Sequence, residues 1–418
     1  MALNVLLIGS GGREHALAWK LCQSPRLKKL YIAPGNAGTA EVGENVAIPA
    51  TDMMRLADFA EDKKIDLTIV GPDDPLALGI VDYFETRGLK IWGPSQAAAQ
   101  LEASKAFSKE LMAEAGIPTA VFEVFDNYHK ALSYVREKGA PIVVKASGLA
   151  LGKGVVVAET LQQAEHALKE MMVDKVFGDA GESVVIEEFL VGPEISVHAL
   201  CDGEKYQLFP PAQDHKRALD GDRGKNTGGM GTISPLPWVT DTMMREIAQT
   251  VIEPALRLMS DRGTPFRGLL FPGLIITMSG PRVLEFNARF GDPETQSYMR
   301  LLESDLLDLI ETAQSAVWSE GYAVNIVLAS GGYPGDYTKG LPITGITEAE
   351  EMADVVVFHA GTKLDEEGQL VTNGGRVLGV SAVGKSLEEA LARAYEAADR
   401  IKFKNKHVRL DIGVKSRM

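Results

Sequence analysis

Only two cysteines, Cys22 and Cys201, occur in the 418 residues, far apart and without a CxxC spacing. That argues against a disulfide framework or a zinc site and leaves two packed thiols. No apolar run approaches the roughly 18 to 20 residues that cross a bilayer, so no membrane partner is expected. The opening "MALNVLLIGSGG" lacks the basic flank of a signal peptide and reads as a strand entering a turn, which makes the cytoplasm the expected compartment. Positive charge is also short: 43 Lys and Arg against 57 Asp and Glu give a formal charge of -14. A surface of that sign opposes adhesion to nucleic acid, so an anionic ligand has to be held by local groups. Internal repeats and low-complexity tracts are missing as well.

What remains is an ordinary globular composition, 45% hydrophobic and 24% charged, in a chain long enough for two to four domains. Over the first hundred residues the apolar runs "NVLLIG", "LYIAPG", "DLTIVGP" and "LKIWGP" alternate with helical patterns such as "REHALAWKLC". This predicts βαβ units and a Rossmann-like parallel sheet with ligands beyond the carboxyl ends of its strands. From "LEASKAFSKELMAEAG" the rhythm changes to longer helices and antiparallel-looking strands, and a third region opens near "YAVNIVLASGGYPG". The expected boundaries are 1–102, 103–325 with a small lid over about 118–189, and 326–418 as a small α+β domain.

"GSGGREHALAWK" follows the first strand, and Gly9, Gly11 and Gly12 let backbone N–H groups face an anion at a helix N-terminus. The dinucleotide fingerprint is incomplete: Glu14 stands at the third glycine position, and the second strand ends in Pro34-Gly35-Asn36 rather than an acidic residue. Arg13 could instead fork onto a phosphate monoester, and a plain helix entry is the remaining reading.

"VVKASGLALGKGVVVAE" places Lys145 at a strand end before a loop with Gly148, Gly152, Lys153 and Gly154. Such a loop can close over polyphosphate, although a hairpin with solvated lysines fits equally; it is no Walker A motif. In "VVIEEFLVGPEISV", a hinge over Glu187, Glu188, Phe189 and Leu190 can bond an adenine edge while Glu194 accepts ribose hydroxyls. In "RVLEFNARFGDPETQ", Glu285 and Asn287 alternate along one strand face, two hard oxygens suited to Mg²⁺ with phosphate and water, and Arg289 follows on that face. "QDHKR" and "KNTGGMG" are two polar loops near a short connection; His215 reads as a positioning group, and no triad partner is evident.

In order along the chain, "GSGGREHALAWK", "APGNAGT", "SKAFSK", "GLALGKGV", "IEEFL", "QDHKR", "NTGGMG", "EFNARFGDPETQ", "GGYPGDYTKG" and "TNGGRVL" resemble the ATP-grasp superfamily, and within it the phosphoribosylamine–glycine ligase family. The resemblance covers essentially the whole chain. It implies central ATP-grasp domains and a ligase that makes a glycyl phosphate from glycine and ATP, then an amide with 5-phosphoribosylamine. ATP and Mg²⁺, or Mn²⁺, are the implied cofactors, the partners are small molecules, and a monomer is expected with a dimer as the alternative.

By resemblance Lys105 and Lys145 contact phosphates beneath the loop carrying Gly152, Lys153 and Gly154. Glu187, Glu188, Phe189 and Leu190 frame adenine, Glu194 holds ribose, and Glu285 and Asn287 bind metal. Arg289 and Asp292 match the glycine end and, with Lys145, the catalytic group. Asp214, Lys216, Asn226, Gly228 and Gly229 lie nearby. Gly11, Gly12, Arg13, Glu14, Asn36 and Asp73 then serve the ribosylamine and its 5-phosphate. Asp73 stands where the family usually has Glu, and Ser147 and Leu151 where Asp and Ala are common. The alternatives are another ATP-grasp ligase, a non-catalytic nucleotide-binding regulator and a dinucleotide oxidoreductase.

Overall fold

The computed structural model describes residues 2–150, 154–312 and 315–417. Gly152 and Lys153, expected over phosphate, and Leu151 lie outside these residues. The first region is a five-stranded parallel sheet in the order Glu44–Asn45, Leu27–Pro34, Leu3–Gly9, Leu67–Val70, Ile91–Trp92. Because successive strand residues point to opposite faces, Val5 and Leu7 enter a core with Leu17 and Leu21 of helix Gly12–Leu21. Leu6 and Ile8 enter a second core with Leu56, Ala60 and Phe84. Both faces are covered, as parallel sheets require.

The expected lid contains a four-stranded antiparallel sheet, ordered Phe122–Phe125, Val184–Glu188, Ile142–Ala146, Val155–Ala158. Ile142, Val144, Ala146, Val184 and Ile186 pack against helices Tyr128–Lys138 and Leu161–Leu168. The same alternation sends Lys145 and Glu187 to the other face, as a diagonal pair across neighbouring strands.

A third sheet joins Glu194–Ser196, Arg267–Thr277, Ala199–Asp202 and Lys205–Leu208, and Gly280–Asn287 forms a hairpin with Arg267–Thr277. The last large sheet runs Gln213–Asp214, Gly231–Ser234, Tyr322–Ser330, Arg376–Gly384, Val355–His359. Helix Leu387–Arg400 buries Leu387, Ala390, Leu391, Ala394 and Ala397 in one core with Val324, Ile326 and Leu328. Strand Tyr322–Ser330 thus runs through the boundary expected between 325 and 326 and is bonded to Gly231–Ser234 of the preceding region. Among the described residues no helix is long and apolar enough to cross a membrane.

Candidate active site

Where the lid face meets the hairpin, side chains of alternating sign converge. Lys145 Nζ donates to Glu187 Oε2 at 2.9 Å and to the Leu284 carbonyl at 3.0 Å. That carbonyl is free because the ladder slips between Gly273 and Leu274, leaving Leu284 as an unpaired bulge residue. Glu187, 2% exposed, is also paired with Lys109 at 3.2 Å. Lys105 Nζ reaches the Gly148 carbonyl at 3.2 Å, and its backbone N–H donates to the Ser147 carbonyl. Ser147 returns the contact, its hydroxyl accepting the Ala106 N–H, so this departure from the family pattern ties the loop base to helix Lys105–Glu114. Burial and the neighbouring Lys145 charge push the Lys109 ammonium down to about 8 against the pull of Glu187.

Glu285 lies within this field. Burial alone would raise its pKa, but Lys216, Lys145, Lys105 and Arg289 together outweigh it and hold the carboxyl at about 2. Lys216 Nζ is 3.5 Å from Glu285 Oε1 and 3.6 Å from Glu194 Oε2. Asn287 accepts from Arg289 Nη2 at 3.2 Å and donates to the Phe271 carbonyl. A carboxylate ionised at neutral pH and an amide oxygen amid cations suit a divalent ion whose remaining ligands are phosphate oxygens and water. Among the described residues no group of three His, Cys, Asp or Glu could hold a metal alone.

The hinge is exposed at Glu188, Phe189 and Glu194, half-buried at Leu190 and buried only at Glu187. The Glu188 carboxylate accepts the Val121 N–H at 2.9 Å. Glu187 therefore sits among the lysines rather than on the open rim.

On the other side of Glu285, Arg289 is held by Glu102 at 2.9 Å, and Glu102 also accepts the Ala288 N–H at 2.7 Å. Burial, reinforced by Asp73, pushes the Glu102 carboxyl up to about 7 against the opposing pull of Arg289. Asp292 is fixed by Arg376 Nη2 at 2.8 Å and Gln296 Nε2 at 2.8 Å. Arg376 Nη1 also binds the carbonyls of Asp292 and Gly228. Asp214 is half-buried, with a buried Oδ1 unpartnered among the described residues. A Cβ on Gly229 would lie 2.5 Å from that oxygen and 2.4 Å from Pro293 Cδ. Burial and then the like charge of Glu294 push Asp214 well up, and burial raises Glu294 as well, so both carboxyls hold a proton to higher pH than an ordinary carboxylate. Asn226 lies outside this cluster, on strand Arg223–Asn226 opposite Arg217.

The first turn differs from an open anion cradle. Glu14 folds back so that Oε2 accepts the Gly11 N–H at 2.6 Å, while Oε1 binds Arg13 Nε at 2.5 Å. Arg13 Nη1 donates to the Phe290 carbonyl, linking the turn to the "EFNARF" strand. Gly12 lies against Gln296, where a Cβ would be 2.7 Å from Nε2. The amide of Asn36 donates to the Ser10 and His359 carbonyls and accepts the Gly38 and Thr39 N–H groups. Glu14 and Asn36, expected to touch substrate, are thus engaged in holding the turn together, because a helix N-terminus and a Pro-Gly turn leave main-chain groups that need partners.

Sequence reasoning passed over Lys109, Glu102, Glu294 and Arg376. Lys109 was within reach, four residues after Lys105 on one helix face. Arg376 and Glu294 stood in quoted motifs without a role, and their partners Asp292 and Asp214, distant in sequence, come only from folding. His215, tied by Gly231 and Gly413 and pushed down to about 4 by burial and then Arg409, is neutral and fixed.

The chain matches the models of the phosphoribosylglycinamide synthetase N domain over residues 3–102, ATP-grasp (A) domain over 103–295 and C domain over 323–415. It is 50% identical to a phosphoribosylamine–glycine ligase of Vibrio cholerae, covering 99% of this chain and 98% of the relative. The corresponding ligase of Pseudomonas aeruginosa is 51% identical over the same shares. Among solved structures, the phosphoribosylamine–glycine ligase of Thermotoga maritima superposes with a TM-score of 0.84 at 33% identity, covering 98% of this chain and 100% of that one. A biotin carboxylase domain of Hydrogenobacter thermophilus, at 16% identity and a TM-score of 0.76 over 98% and 92% of the two chains, shares the fold.

Proposed function

The chain belongs to the phosphoribosylglycinamide synthetase family, which joins glycine to phosphoribosylamine in purine biosynthesis, and we propose that it does so through a glycyl phosphate formed beside Glu285. It is a ligase of the ATP-grasp class using ATP and a divalent metal; our choice of metal is Mg²⁺. The observation that carries the reading is that Lys216 lies 3.5 Å from Glu285, Lys145 binds the adjoining Leu284 carbonyl and Arg289 binds Asn287, so that cations gather around one carboxylate strand. That is the charge pattern of a triphosphate site with its own cation ligand.

In this mechanism Lys105 and Lys145 hold phosphate oxygens, with Lys145 aimed by Glu187 and the Leu284 carbonyl. Glu285 and Asn287 hold the metal, which when bound neutralises phosphate charge and aligns the γ-phosphate. Adenine lies along the backbone of 187–190, and Glu194 accepts from ribose. Arg289, braced by Glu102, holds the glycine carboxylate, whose oxygen attacks the γ-phosphorus as ADP leaves. Asp214 and Glu294 face the glycine ammonium, and Asp292 with Arg376 fixes the loop around it. The ribosylamine nitrogen then attacks the carbonyl carbon, phosphate departs and the nitrogen loses a proton. Positioning and charge neutralisation supply most of the rate. We assign the 5-phosphate to the first turn, near Gly11, Gly12 and Arg13, with Asp73 toward the ribose and Asn36 shaping the loop. A cytoplasmic monomer acting on small molecules, divided at 102/103 and just before Tyr322, completes the reading.

Phosphate release from ATP with Mg²⁺, glycine and fresh phosphoribosylamine, omitting each in turn, tests it. Release that requires both co-substrates and yields the amide is expected. Release satisfied by another carboxylate or amine, with none from glycine and ribosylamine, would overturn it.

A further inference from the structure

Asp214 and Lys216 reach the cleft from a short segment whose side chains alternate. Strand Gln213–Asp214 pairs with Gly231–Ser234, and the main chain of His215 continues the pairing through Gly231 and Met230. Even-numbered Asp214 and Lys216 therefore point at the cleft, while Gln213 and His215 point away. What they point toward is residues 407–416.

There Ser416 Oγ donates to Gln213 Oε1 at 2.6 Å, and the Gly413 N–H donates to His215 Nε2 at 3.1 Å. His407 Nε2 donates to the Ala218 carbonyl at 2.6 Å, and the Leu410 N–H to Asp220 Oδ1 at 2.8 Å. At the centre is Arg409, its side chain 1% exposed, donating to the Arg217 carbonyl at 3.0 Å. It also binds both oxygens of Asp411 at 2.8 Å and pairs with Asp222 at 2.9 Å. Asp411 accepts the Gly221 N–H. Tyr395, on helix Leu387–Arg400, bonds both the Arg409 carbonyl and the Ile412 N–H at 3.0 Å. A guanidinium removed from water needs all its donors placed, and here one goes to the main chain immediately after Lys216. An apolar plug would fill the space without fixing that carbonyl's direction.

We propose that Arg409 is a positioning residue for ligation, the centre of a clasp formed by residues 407–416 that aims Asp214 and Lys216 into the cleft. Lys216 lies 3.5–3.6 Å from Glu285 and Glu194, so a small rotation of its segment changes the charge facing nucleotide and metal. The clasp is built from the third region and its target from the second, so the two regions are joined at a point where alignment affects rate. The inference rests on the reading that Lys216 serves the cleft.

The test compares steady-state kinetics of Lys216→Ala, Arg409→Ala, Arg409→Lys and the double variant Lys216→Ala with Arg409→Ala in the full chain. Misaligned supporting groups typically cost roughly 10- to 100-fold in kcat/KM, and that loss is expected for Arg409→Ala. Lysine lacks the planar fork and should not restore it, whereas added guanidinium ion should. If Arg409 acts through Lys216, the double variant loses less than the product of the single losses; a general loss of folded enzyme multiplies through unchanged. Wild-type kinetics in Arg409→Ala, or losses that multiply, overturn the inference, while wild-type kinetics in Lys216→Ala overturn the reading beneath it. Should Arg409→Ala fail to fold, Tyr395→Phe combined with Ser416→Ala loosens the clasp without stranding a charge. A several-fold fall in kcat/KM is then expected, and its absence overturns the proposal.

Discussion

Replacing Glu285 by glutamine tests the charge argument at its centre. Its carboxyl falls from 4.5 to about 2 in the folded protein. At about 1.4 kcal/mol per pKa unit, this favours the charged form by about 3 kcal/mol. The side chain is 31% exposed, and solvent screening leaves a contribution to folding of about 1–3 kcal/mol. Because the folded value lies below the unfolded one, that stability is present above pH 4.5 and disappears as the pH falls toward 2. Glu285→Gln removes it and leaves Lys105, Lys145, Lys216 and Arg289 repelling one another. Urea unfolding at pH 7 should show the variant less stable by that amount, with the gap narrowing below pH 4.5. Metal-dependent phosphate release should fall by more than about 100-fold, while ATP binding without metal is retained or strengthened because the like charge has gone. Equal or greater stability of the variant at pH 7, or full activity, would refute the reasoning.

Glu102→Gln tests the brace on Arg289: the amide has one acceptor oxygen for two donors, so its NH2 group faces either Arg289 or the Ala288 N–H, and kcat/KM should fall roughly 10- to 100-fold. Since burial raises Glu102 to about 7, the wild-type stability it contributes is present below pH 4.5 and lost as the pH rises through 7. The variant should therefore gain relative stability over that interval, as urea midpoints at pH 5 and pH 8 would reveal. Asp214→Asn should be as stable as wild type or more stable at pH 8, because the raised carboxyl loses its contribution as the pH climbs, while KM for glycine rises several-fold. Gly229→Ala should cost about 2–5 kcal/mol and most activity, since Gly229 has φ +113° and the added carbon meets Pro293 and Asp214. Near-normal unfolding midpoints and turnover would contradict that geometry.

The parts legible in the sequence are those that local spacing encodes. Alternating apolar runs before Pro34, Val70 and Trp92 indicated a parallel sheet, and the sheet is there. The two-residue period of "LEFNAR" placed Glu285, Asn287 and Arg289 together, and the hydrogen bond between Arg289 and Asn287 agrees with it. The first turn shows where that logic stops. Glycines at 9, 11 and 12 encode a sharp turn with free N–H groups, but not what satisfies them, and Glu14 accepts the Gly11 N–H from inside the motif. Asn36 likewise has a partner that spacing does not encode, since the fold brings the His359 carbonyl, 323 residues away, to its amide. The Glu102 brace and the Arg376 clamp are also long-range pairs whose members are ordinary charged residues locally. Their consequence is that Arg289 and Asp292 owe their fixed orientations to separate regions of the chain. Mutations at Glu102 and Arg376, outside the phosphate loop and metal strand, should therefore alter substrate discrimination before they alter ATP binding, because they move the groups assigned to glycine and leave Lys105, Lys145 and Glu285 in place.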